Sequence, residues 1–208
     1  MINNQNKPLL VVIAGPNGSG KTSVTSKLLK HEWVENCEYI NPDNIARDLF
    51  GDWNSPEAML KAAQYATSER ERCLLENQNL IFETVLSAPD KVLFVEQAKE
   101  KGYFIRLFFI CTDNPQINCK RIAHRFMMGG HDVPFQKIIS RYYKSIINCE
   151  LLVPIVDRLY VYDNSIEDKN PTLLFRVSDG MLIKQYDVVR DWALNIFDTS
   201  NKQGDINV

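Results

Sequence analysis

The stretch Leu9-Leu-Val-Val-Ile-Ala-Gly-Pro-Asn-Gly-Ser-Gly-Lys-Thr22 decides the fold of this 208-residue chain. Its first six residues, up to Ala14, are continuously apolar, which is typical of a parallel strand covered on both faces. The last eight match GxxxxGK followed by Ser or Thr, whose glycines let the backbone curl until successive N–H groups point at one anion. A helix is predicted from Thr22 to His31, so the motif lies between a buried strand and a helix N-terminus. The stretch therefore predicts a P-loop that holds the phosphates of a nucleoside triphosphate.

Within this loop, we expect nine consecutive residues to contact the nucleotide: Gly15, Pro16, Asn17, Gly18, Ser19, Gly20, Lys21, Thr22 and Ser23. Lys21 supplies a positive charge near the β- and γ-phosphates, and Thr22 offers its hydroxyl to Mg²⁺. A carboxylate at a strand end usually supports the metal, and Glu83 and Asp113 are both candidates. Glu83 is favoured because Thr84 follows it on the ligand edge of the sheet. The alternative for either acid is a helix cap or a solvated carboxylate.

The rest of the chain alternates apolar runs with helical patterns. Further strands are predicted at Glu38–Asn41, Asn79–Glu83, Phe104–Ile110 and Leu159–Tyr162. Further helices are predicted at Pro42–Phe50, Ser55–Glu76, Pro89–Gly102, Pro115–Met128 and Pro134–Leu152. This alternation implies right-handed crossovers and a three-layer α/β/α architecture with a mostly parallel five-stranded sheet. A β-hairpin at 172–185 and a helix at Val188–Phe197 complete one domain over residues 1–208, with flexible ends at 1–7 and 199–208.

Composition excludes several classes of protein. Hydrophobic residues make up 45% and charged residues 24% of the chain, which is ordinary for a folded domain. A net charge of −2 gives no basic footprint for nucleic acid, and Leu9–Ala14 is too short to span a membrane and lacks a signal-peptide layout. The five cysteines are scattered without a CxxC pair, which favours reduced thiols in a cytoplasmic protein over disulfides or a zinc site.

Asp43 is the candidate for the group that activates an acceptor. It follows the second predicted strand, so its carboxylate is expected over the carboxyl edge of the sheet near the γ-phosphate. A carboxylate there can accept the proton of an attacking hydroxyl or orient it. The alternative is that Asp43 only caps the next helix.

Three arginines are expected to meet the transferred phosphoryl group. Arg121 and Arg125 are four residues apart and share one helical face, and Arg141 can face them from the next helix. Converging guanidinium groups stabilise the charge that develops in phosphoryl transfer, and residues 115–152 would form a lid over the nucleotide. The alternative is a solvated basic face. His131, in the turn between the two helices, is expected on the substrate side as a polar lid residue, or else as an exposed turn histidine.

The motifs together resemble the zeta-toxin family. The resemblance spans about Leu9 to Ser165 and rests on the P-loop, Asn41-Pro-Asp-Asn-Ile-Ala46, Glu83-Thr-Val-Leu-Ser87, Arg121-x-x-x-Arg125, Gly129-Gly-His-x-Val-Pro134, Arg141-Tyr142 and Tyr162-Asp-Asn-Ser165. It implies a fold similar to adenylate kinases and ATP-dependent phosphorylation, the toxin members acting on the 3′-hydroxyl of UDP-N-acetylglucosamine. The Gly-Gly-His-x-Val-Pro segment is like that of compact chromosomal members, so neither the sugar substrate nor toxicity follows with the kinase assignment.

Carried over by position, the resemblance assigns roles to individual residues. Asp43 resembles the catalytic base, and Lys21 and Thr22 resemble the residues that hold ATP and Mg²⁺. Glu83 and Thr84 are similar to substrate-side residues. Arginines that stabilise phosphate charge are matched by Arg121, Arg125 and Arg141. Asn164 resembles a residue near the adenine.

The leading hypothesis is an Mg²⁺/ATP-dependent kinase that phosphorylates a hydroxyl of a small molecule, with UDP-N-acetylglucosamine as one candidate. The alternatives are a nucleotide or nucleic-acid-end kinase, and an ATP-binding regulatory or toxin–antitoxin module with little turnover. GTP is disfavoured because the chain has no Asn-Lys-x-Asp run. Nothing in the sequence indicates an antitoxin partner or an oligomeric state.

Overall fold

One sheet of seven strands runs through the described residues of this computed structural model, which are 7–51, 55–129 and 133–202. Five strands are parallel: β1 (Leu9–Ala14), β2 (Glu38–Ile40), β3 (Leu80–Thr84), β4 (Phe104–Cys111) and β5 (Arg158–Asp163). Two are antiparallel: β6 (Thr172–Ser178) and β7 (Met181–Gln185). The strand order is β2-β3-β1-β4-β5-β6-β7. The predicted parallel sheet is confirmed, and the predicted hairpin extends it because β6 pairs with β5.

Helices cover both faces of the sheet. They are α1 (Lys21–Leu28), α2 (Pro42–Phe50), α3 (Pro56–Leu75), α4 (Pro89–Glu100), α5 (Pro115–Met127), α6 (Phe135–Leu152) and α7 (Leu194–Lys202), with 3₁₀ turns at Glu32–Val34 and Asp191–Ala193. Side chains alternate across β1: Leu10 and Val12 join the core under α3, α4, α6 and α7, whereas Val11 and Ile13 join the core under α1. This two-sided burial explains why the strand is apolar throughout.

The strand order places the P-loop at a point of divergence. β1 pairs with β3 on one side and with β4 on the other, Ala14 being in register with both Thr84 and Phe109. In open α/β sheets such a divergence leaves a crevice beyond the carboxyl ends of the strands, where ligands bind. The segments that follow β1, β2 and β3 therefore meet at one edge.

The end of the chain differs from the prediction. The last helix begins at Leu194 and not at Val188, since residues 188–190 have no regular structure and a 3₁₀ turn precedes the helix. It continues to Lys202 and so includes residues 199–202, whose predicted flexibility stays a prediction. Ser200 is buried, and Thr199 Oγ1 donates to Glu150 Oε1 on α6 at 3.2 Å. Contact with α6 stabilises a segment whose sequence is polar. The predicted flexible residues 1–6 and 203–208 lie outside the described residues.

In the part of the chain that the structure describes, no helix is both long and apolar enough to cross a membrane. The cytoplasmic location stays a prediction.

Candidate functional site

The P-loop has the backbone that its glycines allow. Gly15 and Gly20 have φ of 149° and 89°. A Cβ on Gly15 would lie 2.0 Å from the carbonyl oxygen of Ile110, and a Cβ on Gly20 would lie 2.1 Å from Nδ2 of Asn164. Position 15 requires glycine because a Cβ there would collide with backbone, and position 20 favours glycine because its φ lies in the left-handed region.

A cleft of about 650 Å³ opens in front of this loop. Five of the nine residues predicted to contact nucleotide line it: Asn17, Gly18, Gly20, Lys21 and Thr22. The other four, Gly15, Pro16, Ser19 and Ser23, are not among its lining residues. Ser19 is fully buried beneath the loop. The loop thus presents mainly its second half to the cleft.

Lys21 connects the loop to the charges around it. Its Nζ donates to the carbonyl oxygens of Gly15 at 2.8 Å and Pro16 at 3.1 Å. Burial lowers the pKa of Lys21 to about 8, while the carboxylates of Glu83 and Asp43 act to raise it. All three side chains line the same cleft.

Glu83 is held in place from β2. Its Oε1 accepts a hydrogen bond from the Tyr39 hydroxyl at 2.7 Å, and Nδ2 of Asn41 donates to that tyrosine oxygen at 2.9 Å. Burial raises the pKa of Tyr39, so its hydroxyl keeps the proton that it donates. Sequence reasoning missed Tyr39, although it and Asn41 are two residues apart and so share one face of the strand.

Asp43 is not the cap of α2. The side chain of Asn41 performs that role, its Oδ1 accepting from the backbone N–H of Asp43 at 2.9 Å, and Pro42 is the first helical residue. The alternative that treats Asp43 as only an N-cap is therefore wrong. Among the described residues its carboxylate has no hydrogen bond or ion pair, and it is exposed on the wall of the cleft. It is free to meet a ligand.

The three predicted arginines all line the same cleft. Arg121 Nη1 donates to the carbonyl oxygen of Gly18 at 3.4 Å, and Arg141 Nη1 donates to Oδ1 of Asn17 at 3.3 Å. Arg125 lies near enough to Lys21 to lower the pKa of the lysine. The arginines thus face the P-loop from α5 and α6, which argues against a merely solvated basic face.

The other predicted residues divide into those at the cleft and those elsewhere. Thr84 lines the cleft, and its Oγ1 accepts from the backbone N–H of Leu86 at 3.0 Å. Asp113 is not among the lining residues, and its backbone N–H donates to Ser165 Oγ at 2.7 Å. Of the two candidate metal acids, only Glu83 lines the cleft, and its metal role stays a prediction. His131 lies outside the described residues.

Two asparagines support the P-loop from behind. Asn164 Nδ2 donates to the carbonyl oxygen of Ser19 at 2.8 Å, so its amide contacts the loop backbone; its predicted place near the adenine stays a prediction. Asn118, which sequence reasoning missed, is fully buried on α5 and donates to the carbonyl oxygen of Asn17 at 2.6 Å. The signal for Asn118 is a polar residue four positions before Ile122, on the buried face of its helix.

A glycine loop of this conformation, set where the strand order diverges, is the phosphate-binding element of P-loop proteins, and the fold and the cleft assign the chain to that class. Within the class, the chain belongs to the zeta toxin family, whose model matches residues 2–178. The family recognised from its motifs is confirmed.

Solved structures share this fold. One, from the PezAT chromosomal toxin–antitoxin system of Streptococcus pneumoniae, has a TM-score of 0.59 and 19% identity, over 82% of this chain and 72% of that one. Another, AvrRxo1-ORF1:-ORF2 with ATP, has a TM-score of 0.63 and 15% identity, over 96% of this chain and 65% of that one. An uncharacterized protein of Haemophilus influenzae is 28% identical over 138 residues, which are 66% of this chain and 94% of that protein.

Proposed function

We propose that this protein is a kinase that transfers the γ-phosphoryl group of ATP to a hydroxyl group of a small molecule. The observation that carries the proposal is the lining of one cleft by Lys21, Asp43, Glu83 and the arginines of α5 and α6. Phosphoryl transfer requires a cradle for phosphates, positive charge at the transferred group and a carboxylate for the acceptor hydroxyl. Each of these components faces the same space.

The donor would be bound on the P-loop side. The backbone N–H groups that open α1 would hold the phosphates, and Lys21 Nζ would exchange its bonds to the loop carbonyls for bonds to phosphate oxygens. Arg121 and Arg141 already lie against the loop at Gly18 and Asn17. They would neutralise charge on the phosphates without a large movement.

The residues present fit a magnesium ion. Mg²⁺ takes oxygen ligands and is usually held by one or two protein groups together with substrate phosphates. The Thr22 hydroxyl is exposed at the cleft, and Glu83 shares one carboxylate oxygen with Tyr39, which leaves the other available. We infer that Thr22 and Glu83 would hold the ion. When bound, it would neutralise phosphate charge.

Asp43 would act on the acceptor. Its carboxylate would accept the hydrogen of the acceptor hydroxyl and take the proton as the oxygen attacks. A bond forms between that oxygen and the γ-phosphorus, the bond from the γ-phosphorus to the bridging oxygen breaks, and ADP leaves. The position of Asp43 at the start of α2, with its carboxylate not used in the capping interaction, supports this role.

The test is ADP release with and without candidate acceptors, followed by mass spectrometry of the products. UDP-N-acetylglucosamine is the first acceptor to try, within a panel of sugar nucleotides, nucleotides and free sugars. We expect one acceptor to stimulate turnover and to gain the mass of one phosphoryl group. Lys21→Ala is the control, since it should abolish the stimulated rate. Nucleotide binding without acceptor-stimulated turnover across the panel would contradict the proposal.

A second candidate is an ATP-binding component of a toxin–antitoxin pair that turns over little. The similarity to chains solved within PezAT and within AvrRxo1-ORF1:-ORF2 favours it. The same assay separates the two, because an ADP release that no acceptor stimulates would support the binding module.

A further inference from the structure

Arg70 interrupts a buried ridge of small, apolar residues on α3. Every fourth residue of this helix is buried, beginning with Ala58, Ala62 and Ala66. The next position on the ridge is Arg70, of which only 4% is exposed. Burying a guanidinium group is costly unless its charge is paired and its donors are satisfied. Such a residue requires a physical reason.

The described contacts of Arg70 only partly compensate for the burial of its charge. Its guanidinium lies 5.3 Å from the ring centroid of Phe82 and 5.7 Å from that of Phe94, and its Nη2 donates to Thr67 Oγ1 at 2.9 Å. Within residues 7–51, 55–129 and 133–202, its buried Nε has no hydrogen-bond partner, and no carboxylate forms an ion pair with it. Burial lowers the pKa of Arg70, and the charges of Asp90 and Glu71 only partly oppose this.

The nearby carboxylates do not form an ion pair with Arg70 among the described residues. Asp90 pairs with Lys91, and Glu71 is exposed. By contrast, Arg72 on the same helix pairs with Glu69 at 3.0 Å and with Glu76 at 2.8 Å. The helix thus pairs its partly exposed arginine and leaves its buried arginine without an ion pair among the described residues.

Arg70 lies where two spaces meet. It lines the main cleft together with Asp43 and Glu83, and it also lines an adjoining cavity of about 470 Å³. No residue of the P-loop lines that cavity, whose polar and charged lining residues besides Arg70 are Gln64, Thr67, Ser68, Glu71, Asp90 and Lys91. The buried arginine therefore borders both the main cleft and a cavity that the P-loop does not line.

We propose that Arg70 binds a phosphate or diphosphate group of the acceptor, with the rest of that molecule extending into the adjoining cavity. A guanidinium group presents parallel N–H donors that match two oxygens of a phosphate, so it selects this chemistry over a neutral hydroxyl. Phe82 and Phe94 hold its plane in place, which reduces the ordering needed on binding. The inference rests on the proposed function in one respect, that the acceptor hydroxyl lies at Asp43.

The test uses inorganic pyrophosphate as the probe. The protein is first saturated with Mg²⁺ and the non-hydrolysable analogue AMP-PNP to fill the P-loop, and pyrophosphate is then titrated by calorimetry. We expect the parent protein to bind one further pyrophosphate and Arg70→Met to bind it at least tenfold more weakly. The matched control is Arg72→Met, which removes from the same helix a partly exposed arginine that lines neither the cleft nor the cavity, and which should bind like the parent. No second binding event in the parent, or unchanged binding by Arg70→Met, would overturn the proposal.

Thermal unfolding separates a binding role from a structural one. Methionine keeps the length and apolar packing of the side chain between Phe82 and Phe94, so Arg70→Met should melt at or above the temperature of the parent. A lower melting temperature together with unchanged pyrophosphate binding would make Arg70 a structural residue. If the methionine variant does not fold, Arg70→Lys decides, since it keeps the charge but loses the planar fork and should bind pyrophosphate severalfold more weakly.

The two proposals fail in different ways. If the parent takes up no AMP-PNP, the proposed function fails, and pyrophosphate binding by Arg70→Met and the parent still decides the role of the arginine. Once an acceptor is known, Arg70→Met should raise KM for a phosphorylated acceptor at least tenfold and leave KM for ATP unchanged. Equal use of a phosphorylated acceptor and its phosphate-free form by the parent would count against the subsite.

Discussion

The hydroxyl of Tyr39 donates a 2.7 Å hydrogen bond to Oε1 of Glu83, joining the ends of β2 and β3. Asn41 extends the connection, because its Nδ2 donates to the tyrosine oxygen at 2.9 Å and its Oδ1 accepts from the backbone of Asp43 at 2.9 Å. One short network therefore holds the carboxylate of Glu83, proposed for the metal, and the backbone of Asp43, whose carboxylate is proposed for the acceptor.

Tyr39→Phe should reduce activity more than stability. The loss of one hydrogen bond is expected to lower the free energy of unfolding by about 1 kcal/mol. Removal of a partner that orients a metal-binding carboxylate typically costs about 10- to 100-fold in metal affinity or activity. We therefore expect a higher Mg²⁺ concentration for half-maximal turnover, measured by ADP release across a magnesium titration.

The control for this variant is Tyr65→Phe, since Tyr65 is exposed on α3 and outside the cleft. It should match the parent in both magnesium dependence and melting temperature. An unchanged magnesium dependence in Tyr39→Phe would show that Glu83 does not serve the metal.

Asp43→Ala should separate binding from chemistry. Asn41 caps α2 through the backbone of residue 43 and not through its carboxylate, so the variant should keep the stability of the parent. Loss of a general base typically lowers the rate by about 10²- to 10⁴-fold, while the affinity for AMP-PNP should stay the same. Asp48→Ala is the matched control, because Asp48 is an exposed acid of the same helix that pairs with Arg47. Transfer near the parent rate in Asp43→Ala would remove the residue from the mechanism.

Lys21 should make nucleotide binding depend on pH. Burial lowers the pKa of its ammonium to about 8 in the free protein, and phosphate oxygens beside it would raise that pKa again. Binding should therefore take up a proton when the pH lies above 8, and affinity should fall as the pH rises from about 8. Calorimetry at pH 8.5 in two buffers of different ionisation enthalpy measures the uptake directly.

Lys21→Ala should bind AMP-PNP at least tenfold more weakly, since a charge-assisted hydrogen bond contributes about 1.5–3 kcal/mol. It should also lose the proton uptake. An uptake that persists in this variant would assign the titration to another group.

The sequence predicts the fold well because the elements are strongly marked. The apolar run before Gly15 has the pattern of a strand buried on both faces, and Ser55-Pro56 is a helix start whose cap is observed between Ser55 Oγ and the backbone N–H of Ala58. The end of the chain was less predictable. Contacts with α6 extend the last helix through Ser200, and such contacts leave no local pattern.

The candidate site was predictable where chemistry depends on a local motif and less so where it depends on packing between distant segments. Lys21 and Asp43 follow strands and Glu83 lies near the end of one, so their common edge can be inferred from the alternation of strands and helices. Tyr39 and Asn118 act through side chains that meet only after folding. Polar residues occur at similar positions in many strands and helices, so the sequence alone does not assign either residue to the site.

The Asn164→Ala variant tests whether Asn164 supports the phosphate-binding loop or contacts the adenine. Its Nδ2 donates to the carbonyl oxygen of Ser19 at 2.8 Å, so Asn164→Ala should loosen the loop that holds the phosphates. One hydrogen bond of about 1 kcal/mol corresponds to a loss of about fivefold in affinity. If the residue acts through the loop, ATP and inorganic tripolyphosphate should weaken by the same factor, because both use the phosphate cradle.

A residue that contacts the adenine would behave differently, since its removal would weaken ATP and leave tripolyphosphate unchanged. Calorimetric titration of both ligands therefore distinguishes loop support from base recognition in a single variant. Asn170→Ala is the matched control, because Asn170 is exposed and its Oδ1 accepts from Lys27 Nζ at 2.6 Å, away from the cleft. It should bind both ligands like the parent. We expect equal losses in Asn164→Ala, because its only described side-chain hydrogen bond is to the loop backbone.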